Sequence, residues 1–383
     1  MTSRRKFLQV SAAVGVGSLM RWQIDSRDGS LFKAARALAA TGQAQTPLAG
    51  SIIARDWGQF VQPLPTFGAR RVSDPALQVG MVEFQQKVLP DRFYAQLPAA
   101  TAGQIDGRAG TYVWGYQVGS TAPSYPASTI VARRGVPTFV KYVNSLPLKP
   151  YLQKLLTVDQ TVHFADPLGQ MGALGPYGGP VPGVVHLHGA EVQSAYDGVP
   201  DGWWTADGKR GKAYSTMMPT DPNAAIYHYP NRQPATTLWF HDHALGMTRI
   251  NVLSGLCGMY LVRDQYDTGL ANNPLGLPAG DQEVELVLQD RQFDTNGQWY
   301  FPDGSEPDPL ADPPQVLNGD PPNPGIHPFW VPEFFGDTIV VNGRTWPFLE
   351  VEPRRYRFRV VNGSNARFFR MALADSTTNA AGP

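Results

Sequence analysis

The 383-residue sequence is poor in charge, in cysteine and in long apolar runs. Charged residues make up 17% of it, and 32 basic residues balance 32 acidic ones, so the formal net charge is zero. A neutral balance produces no field that would attract nucleic acid or an anionic membrane surface. The single cysteine, Cys257, excludes an internal disulfide, and its surroundings GLCGMYLV predict a small buried thiol. We therefore expect no nucleic-acid partner.

The N-terminal residues resemble a signal for the export of a folded protein. Residues 3–9 read SRRKFLQ, and an uncharged stretch follows at residues 10–20. Paired arginines before a short apolar segment are typical of a twin-arginine signal. The polar segment RWQIDSRDGS leaves the cleavage point open, and the apolar stretch is shorter than the ~20 residues of a membrane span. We expect an exported protein, periplasmic or extracellular, with no membrane span.

Glycine and proline indicate the fold class. The 39 glycines and 35 prolines are dispersed along the chain, which predicts many turns between short strands and an all-β sandwich or barrel. The length allows two or three domains. We expect an export signal and lead-in at residues 1–45, a first domain at 46–264, a linker at 265–280 and a second domain at 281–383. The last segment shows too few strands for a sandwich of about seven, so we expect a second domain that is incomplete.

Alternating patterns predict individual strands in this second domain. Apolar residues alternate with polar ones in EVELVLQD, residues 283–290, and with arginines in RYRFRVVNG, residues 355–363. Such alternation predicts a strand with one buried and one solvated face. In TIVVNG, Asn342-Gly343 follows an apolar run and predicts a tight hairpin.

Four of the seven histidines form two pairs with the same unusual spacing. The pairs are His186 with His188 in VVHLHG, and His241 with His243 in LWFHDHALG. On a β-strand, residues i and i+2 point to the same face, about 6 to 7 Å apart, while the intervening Leu187 and Asp242 would point away. Two such strands lying side by side would bring four imidazoles to one face.

Imidazole binds copper, zinc, iron and nickel, and copper(II) leads the affinity order. The spacing does not select the metal, because a mononuclear zinc or iron site would also use two histidines, with Glu191 or Asp197 as the acid. The remaining histidines are weaker candidates. His163 and His228 lie among β-forming residues and are expected to be structural, and His327 lies in a proline-rich loop and is expected to be exposed.

The sequence resembles multicopper oxidases, in particular the branch of bacterial spore-coat laccases and bilirubin oxidases. The resemblance extends over about residues 60–371. It depends on four stretches, which are HLHG from His186, YHYPN from Tyr227, WFHDHALGMTRINVLSGLCGMYLVRD from Trp239 and VNGRTWPFLEVEPRRYRFRVVNGSNARFFR from Val341. It implies tandem cupredoxin-like Greek-key β-sandwiches, typically three of them.

The resemblance also implies roles for individual residues. His186 would bind the type 2 copper, while His188, His241 and His243 would bind the type 3 pair. Asp197, nine residues after His188, corresponds to an acid that delivers protons to reduced oxygen. Because Asp197 is followed by glycine, it is equally typical of a turn.

The type 1 copper ligands of this family, with its H-x-x-H-x-H and H-C-H motifs, are absent from these 383 residues. Cys257 has no neighbouring histidine and does not replace them. We therefore predict the N-terminal part of an oxidoreductase that couples one-electron oxidation of phenolic or related aromatic substrates to the reduction of O2 to water, inactive as the chain stands. The alternatives are a non-enzymatic exported cupredoxin scaffold and a mononuclear zinc or iron enzyme.

Overall fold

The computed structural model describes residues 45–99, 106–156, 177–301 and 334–372. Within these ranges the fold is built almost entirely of strands, as predicted. Its helices are short, namely α1 (Gly50–Trp57), α2 (Asp91–Gln96) and α3 (Thr248–Ser254). None of the helices in the described ranges has the length and apolar character that crossing a membrane requires. The predicted export signal, at residues 3–20, lies outside the described residues.

Most of the strands belong to three sheets. The first sheet contains β3 (Ala76–Gln86), β4 (Thr111–Val118), β6 (Thr138–Asn144) and β8 (Ala224–Tyr229). The second contains β2 (Arg71–Val72), β5 (Ala127–Arg133), β7 (Val185–His188), β9 (Thr236–Asp242) and β10 (Cys257–Arg263). The third contains β11 (Glu283–Arg291), β13 (Thr338–Val341), β14 (Arg344–Thr345) and β15 (Arg357–Asn362), while β1 (Pro47–Leu48) pairs separately with β12 (Phe293–Asp294).

The first two sheets, ordered β4-β3-β6-β8 and β2-β5-β10-β9-β7, form a sandwich. Each mixes antiparallel pairs with one or more parallel pairs, such as β3 with β6 and β5 with β10. Side chains from both inner faces meet in one core, where the rings of Tyr116 on β4 and Phe240 on β9 lie 5.2 Å apart. Leu187 is fully buried in this core, which confirms the prediction that it turns away from its histidine neighbours.

Strand β10 is buried along its whole length. One face contributes Tyr260 to the sandwich core. On the other face, Cys257, Met259 and Leu261 pack against Val287 and Val361 of the third sheet. A strand that is covered on both faces has no solvated side, so its sequence reads as a continuous apolar run. The buried thiol predicted for Cys257 is confirmed.

The third sheet buries charged side chains. On β15, Arg359 is 4% exposed while Phe358 and Val360 are 46% and 42% exposed. Arg359 donates to Glu283 and to Asp267, each at 2.7 Å. The alternation predicted one buried and one solvated face, but here the arginine face is the buried one, because carboxylates from β11 and the preceding loop meet it.

The remaining local predictions can be compared directly. Asn342 and Gly343, with φ of 51° and 82°, form a two-residue turn between β13 and β14, as predicted. The division into two domains with a linker at residues 265–280 stays a prediction. Strand β1, at the start of the predicted first domain, pairs with β12 of the predicted second domain.

Candidate metal centre

The two histidine pairs lie on adjacent antiparallel strands. Strand β7 carries His186 and His188, while β9 carries His241 and is followed at once by His243. In the register of this pair, His186 is opposite His241 and His188 is opposite Trp239. The predicted geometry is therefore present, since alternate residues on two paired strands share one face.

The four imidazoles form one layer. Their ring centres are 5.0–5.6 Å apart for the neighbouring rings. The shortest contact is a hydrogen bond of 3.2 Å in which His188 donates through Nδ1 to His241 Nε2. Among the residues that the structure describes, no three His, Cys, Asp or Glu side chains are grouped so that they could hold a metal ion by themselves. Within the described residues, the layer therefore offers at most two such ligands to any one metal ion.

Backbone carbonyls orient two of these rings. His186 donates through Nδ1 to the carbonyl of Asp197 at 2.5 Å, and His241 donates through Nδ1 to the carbonyl of Asp242 at 2.7 Å. Each hydrogen bond selects the tautomer whose Nε2 carries a lone pair, which is how proteins prepare histidine for a metal. His243 Nδ1 is buried with no hydrogen-bond partner in the described part of the chain, which is a second feature that a metal ion would satisfy.

Burial favours the neutral form of three of these histidines. Burial lowers the pKa of His241 to about 4, although its hydrogen bond to the Asp242 carbonyl acts in the opposite direction. Burial and repulsion from His186 also lower the pKa values of His188 and His243. Only an unprotonated imidazole can bind a metal ion. The layer is therefore available to a metal near neutral pH.

An indole extends the imidazole layer. Trp239 stacks on His241, with ring centres 4.2 Å apart and planes inclined by 29°, and it also stacks on His188 at 5.5 Å. Sequence reasoning missed this residue. The signal was present, because Trp239 precedes His241 by two positions and must share its face of the strand.

Asp242 lies beneath the layer and is fully buried. Its carboxylate accepts hydrogen bonds from Val184 N–H at 3.0 Å, Ala244 N–H at 3.1 Å and the Asn251 side-chain amide at 2.9 Å. Burial raises its pKa to about 7 even though these three donors act to lower it. The prediction that Asp242 turns away from the imidazoles is confirmed, but its contacts, and those of Asn251, were not foreseen.

The two candidate acids are placed differently. Besides the carbonyl contact, Asp197 brings Oδ1 to 3.5 Å from His186 Nδ1, and its side chain is 39% exposed. The adjacent Gly198 has φ of 72° and lies against the backbone of β7, so Asp197 also forms part of a turn. Glu191 is exposed, and its backbone N–H donates to Gln233.

Of the other histidines, the structure describes His228, which lies away from the layer. His228, on β8 in the opposite sheet, stacks on Phe139 with ring centres 4.7 Å apart, in keeping with a structural role. His163 and His327 lie outside the described residues.

A cavity of about 270 Å³ opens beside His241. The rings of Trp239, Phe301 and Phe334 form part of its wall, and polar side chains such as Arg249 and Asn365 form another part. The last two rings stack on each other at 4.7 Å. The cavity gives a small molecule a route to the edge of the imidazole layer.

A β-sandwich that presents a layer of imidazoles from two paired strands has the donor set of proteins that bind a metal ion through histidine. Residues 180–267, which contain both histidine pairs, match the multicopper oxidase family model. The chain is 39% identical over 301 residues to the multicopper oxidase LPR1 homolog 1 of Oryza sativa subsp. japonica, covering 78% of this chain and 42% of that protein. It is 36% identical over 264 residues to the laccase of Bacillus subtilis (strain 168), covering 69% of this chain and 43% of the laccase.

The same fold occurs in solved structures. The crystal structure of the McoA multicopper oxidase 2F4 variant from Aquifex aeolicus superposes with a TM-score of 0.52 at 22% identity, covering 84% of this chain and 50% of that one. The chain belongs to the multicopper oxidase family, and its fold is cupredoxin-like. Membership of this family implies copper. The chain spans about two fifths of the length of the curated relatives described above.

Proposed function

We propose that this chain provides one half of the oxygen-reducing copper cluster of an oxidase that oxidises phenolic or related aromatic substrates. The observation that carries the proposal is the 3.2 Å separation between His188 Nδ1 and His241 Nε2. Two nitrogens that bind one metal ion at about 2.0 Å with a tetrahedral angle lie about 3.3 Å apart. The two nitrogens now share a proton in a hydrogen bond, and a metal ion that displaced this proton would find both at the spacing of its ligands. The residues therefore fit the metal that the family implies.

The four histidines divide into separate roles. His188 and His241 would share one copper of the type 3 pair, His243 would bind the other, and His186 would bind the type 2 copper through the Nε2 that its hydrogen bond leaves free. Burial lowers the pKa values of His188, His241 and His243, which favours the unprotonated rings that a metal ion requires. Copper bound there would supply the one-electron steps that reduce dioxygen to water.

Asp197 suits the role of proton donor. Reduction of one O2 to two waters takes up four electrons and four protons, so the site needs a path for protons as well as for electrons. The Asp197 carboxylate lies next to His186, yet 39% of its side chain is exposed. A carboxyl group that contacts both the site and solvent can release a proton inward and be reprotonated from outside.

The cavity beside His241 suits a small apolar substrate such as dioxygen. The rings of Trp239, Phe301 and Phe334 give it an apolar surface, while polar side chains that include Thr248 and Asn365 form the rest of its lining. Dioxygen could thus reach the layer through it, while the larger aromatic reductant would bind elsewhere.

Electron entry has to come from residues outside this sequence. Cys257 is the only cysteine, and its sulfur is buried, with the Gln289 amide 3.6 Å away. Burial raises the pKa of its thiol to about 11, which disfavours the thiolate that a type 1 copper needs. We therefore propose that a further domain supplies the type 1 site and the other ligands of the cluster. We also propose that the whole protein belongs to the branch of spore-coat laccases and bilirubin oxidases and is exported by the twin-arginine route.

The test is copper binding and turnover by the 383-residue chain. We expect the chain to bind Cu(II) in competition with a chelator, without intense blue thiolate absorption and without oxidising a phenolic dye. His188→Ala and His241→Ala should each weaken binding by more than the roughly 10- to 100-fold that loss of an outer-shell partner costs. His228→Ala is the matched control and should bind as the parent does.

Three outcomes would contradict the proposal. An absence of specific copper binding would favour an exported scaffold that performs no chemistry. One tightly bound zinc or iron ion with activity in the isolated chain would favour a mononuclear enzyme. Dioxygen-dependent oxidation of the dye by this chain alone would show that no further domain is needed.

A further inference from the structure

The carboxylate of Asp242 joins the two segments that carry the histidines. One oxygen, Oδ2, accepts from the backbone of Val184, two residues before His186. The other oxygen, Oδ1, accepts from the backbone of Ala244, the residue after His243. A single rigid group therefore fixes the start of β7 relative to the end of β9.

Helix α3 braces this group from below. The Asn251 amide donates both to Asp242 Oδ1 at 2.9 Å and to the carbonyl of Pro182 at 3.0 Å. Asn251 and Asp242 are both fully buried. The strands are also joined directly, since His243 N–H donates to the Val184 carbonyl at 2.8 Å. We name the pair of Asp242 and Asn251 the buried clamp.

The clamp lies on the opposite side of the strands from the imidazoles and makes no use of a metal. Backbone pairing of β7 and β9 fixes the register of the two strands, but β7 is only four residues long. Short strands hold their spacing weakly without further support. The Asp242 carboxyl accepts from Val184, Ala244 and Asn251 at once and so links both strands to helix α3.

We propose that the buried clamp of Asp242 and Asn251 is a positioning device that sets the distance between the His188 and His241 rings. This inference deepens the function proposed above and rests on it for the identity of the metal. The geometry of the rings, however, can be measured with no metal present.

The test compares three isosteric or truncating variants of the 383-residue chain. Asp242→Asn keeps the size of the side chain but replaces one acceptor oxygen by an NH2 group, so that either Val184 N–H or Ala244 N–H faces a donor. Asn251→Ala removes only the hydrogen bonds that the Asn251 amide donates to Asp242 and to the Pro182 carbonyl. Asp294→Asn is the matched control, because Asp294 is also buried and accepts from two backbone N–H groups, those of Asn296 and Gln298.

Two measurements are made on each variant. The first is NMR of the chain labelled at its seven histidines, in which a cross-peak between the rings of His188 and His241 reports their contact without metal. The second is the affinity for Cu(II), measured against a competing chelator. Circular dichroism and the urea midpoint monitor the fold.

We expect Asp242→Asn and Asn251→Ala to lose or weaken the ring cross-peak and to bind copper about 10- to 100-fold more weakly. Asp294→Asn should change neither the ring cross-peak nor the copper affinity, even if it lowers the urea midpoint as much as the clamp variants do. If Asp242→Asn does not fold, Asn251→Ala decides the question by the same two readouts.

The inference is overturned if the ring cross-peak and the copper affinity of folded clamp variants match those of the parent. It is also overturned if Asp294→Asn reduces both to the same extent, since the effect would then be one of general stability. A chain that binds no copper, but whose ring cross-peak disappears in the clamp variants, would refute the proposed function and leave the clamp standing.

Discussion

Replacing Gly198 by alanine should disturb the orientation of His186. Gly198 has φ of 72°, and a Cβ there would lie 1.9 Å from the carbonyl oxygen of Val185 and 2.9 Å from Cα of His186. Real Cβ atoms essentially never approach closer than 3.0 Å, so the loop and β7 must separate by about 1 Å. The hydrogen bond from His186 to the Asp197 carbonyl, now 2.5 Å long, would then be stretched towards the limit of hydrogen-bond geometry.

Gly135 provides the matched control for this prediction. Its φ of 78° is similar, but a Cβ there would meet nothing within 4 Å. Both alanine variants incur the left-handed backbone cost of about 1–2 kcal/mol. Only Gly198→Ala adds the cost of overpacking, about 1–3 kcal/mol. We therefore expect Gly198→Ala to lower the free energy of unfolding by about 2 kcal/mol more than Gly135→Ala.

The assay combines urea unfolding, followed by tryptophan fluorescence, with copper titration at native conditions. Gly198→Ala should weaken copper binding about 10- to 100-fold, because it disrupts the hydrogen bond from His186 Nδ1 to the Asp197 carbonyl that orients this ligand. Gly135→Ala should bind as the parent does. If the two variants lose equal stability and bind copper equally, the argument that the Asp197 turn orients His186 is wrong.

Three further predictions concern the interior away from the imidazoles. Glu283→Gln should lower the free energy of unfolding by about 3 kcal/mol or more in urea titrations, because it leaves the buried Arg263 and Arg359 with one shared carboxylate, that of Asp267, instead of two. Lys141→Ala, which removes the exposed ion pair with Asp221, should cost under about 1 kcal/mol. Equal losses would contradict the buried network. Although burial acts to raise the pKa of Asp267, hydrogen bonds from arginines including Arg359 hold it at about 2, below the unfolded value of about 3.9. As the pH falls, the Asp267 carboxyl therefore takes up its proton in the unfolded chain first, so the free energy of unfolding should fall between about pH 4 and pH 2. The urea midpoint of Asp267→Asn should depend less steeply on pH over that window. The same pH dependence in the variant and the parent would contradict this. Cys257 should react with a thiol reagent at pH 8 at least ~100-fold more slowly in the native chain than in urea, because burial raises the pKa of its thiol to about 11. Rapid labelling of the folded chain would contradict this, since it would show that the thiol is accessible.

The imidazole layer could be predicted because it depends on local rules. The period of two along a strand places His186 and His188 on one face whatever the rest of the fold does. The pairing of their strand with the one that carries His241 was a guess from the repeated spacing, and the register confirms it.

The parts that escaped prediction depend on contacts between distant segments. The arginines of β15 read as a solvated face until the buried Glu283 and Asp267 are known to lie against them. The role of Asp242 could not be read from LWFHDH, because its partners Val184 and Asn251 come from two other elements. Sequence alternation shows which residues share a face, but only the tertiary fold shows which face is buried.

The most direct test of the central claim is anomalous diffraction at the copper edge from crystals of the copper-loaded chain. The account predicts an anomalous peak within bonding distance, about 2.0 Å, of both His188 Nδ1 and His241 Nε2. Copper found only at His228 or other surface positions, with His188 and His241 unoccupied, would contradict it.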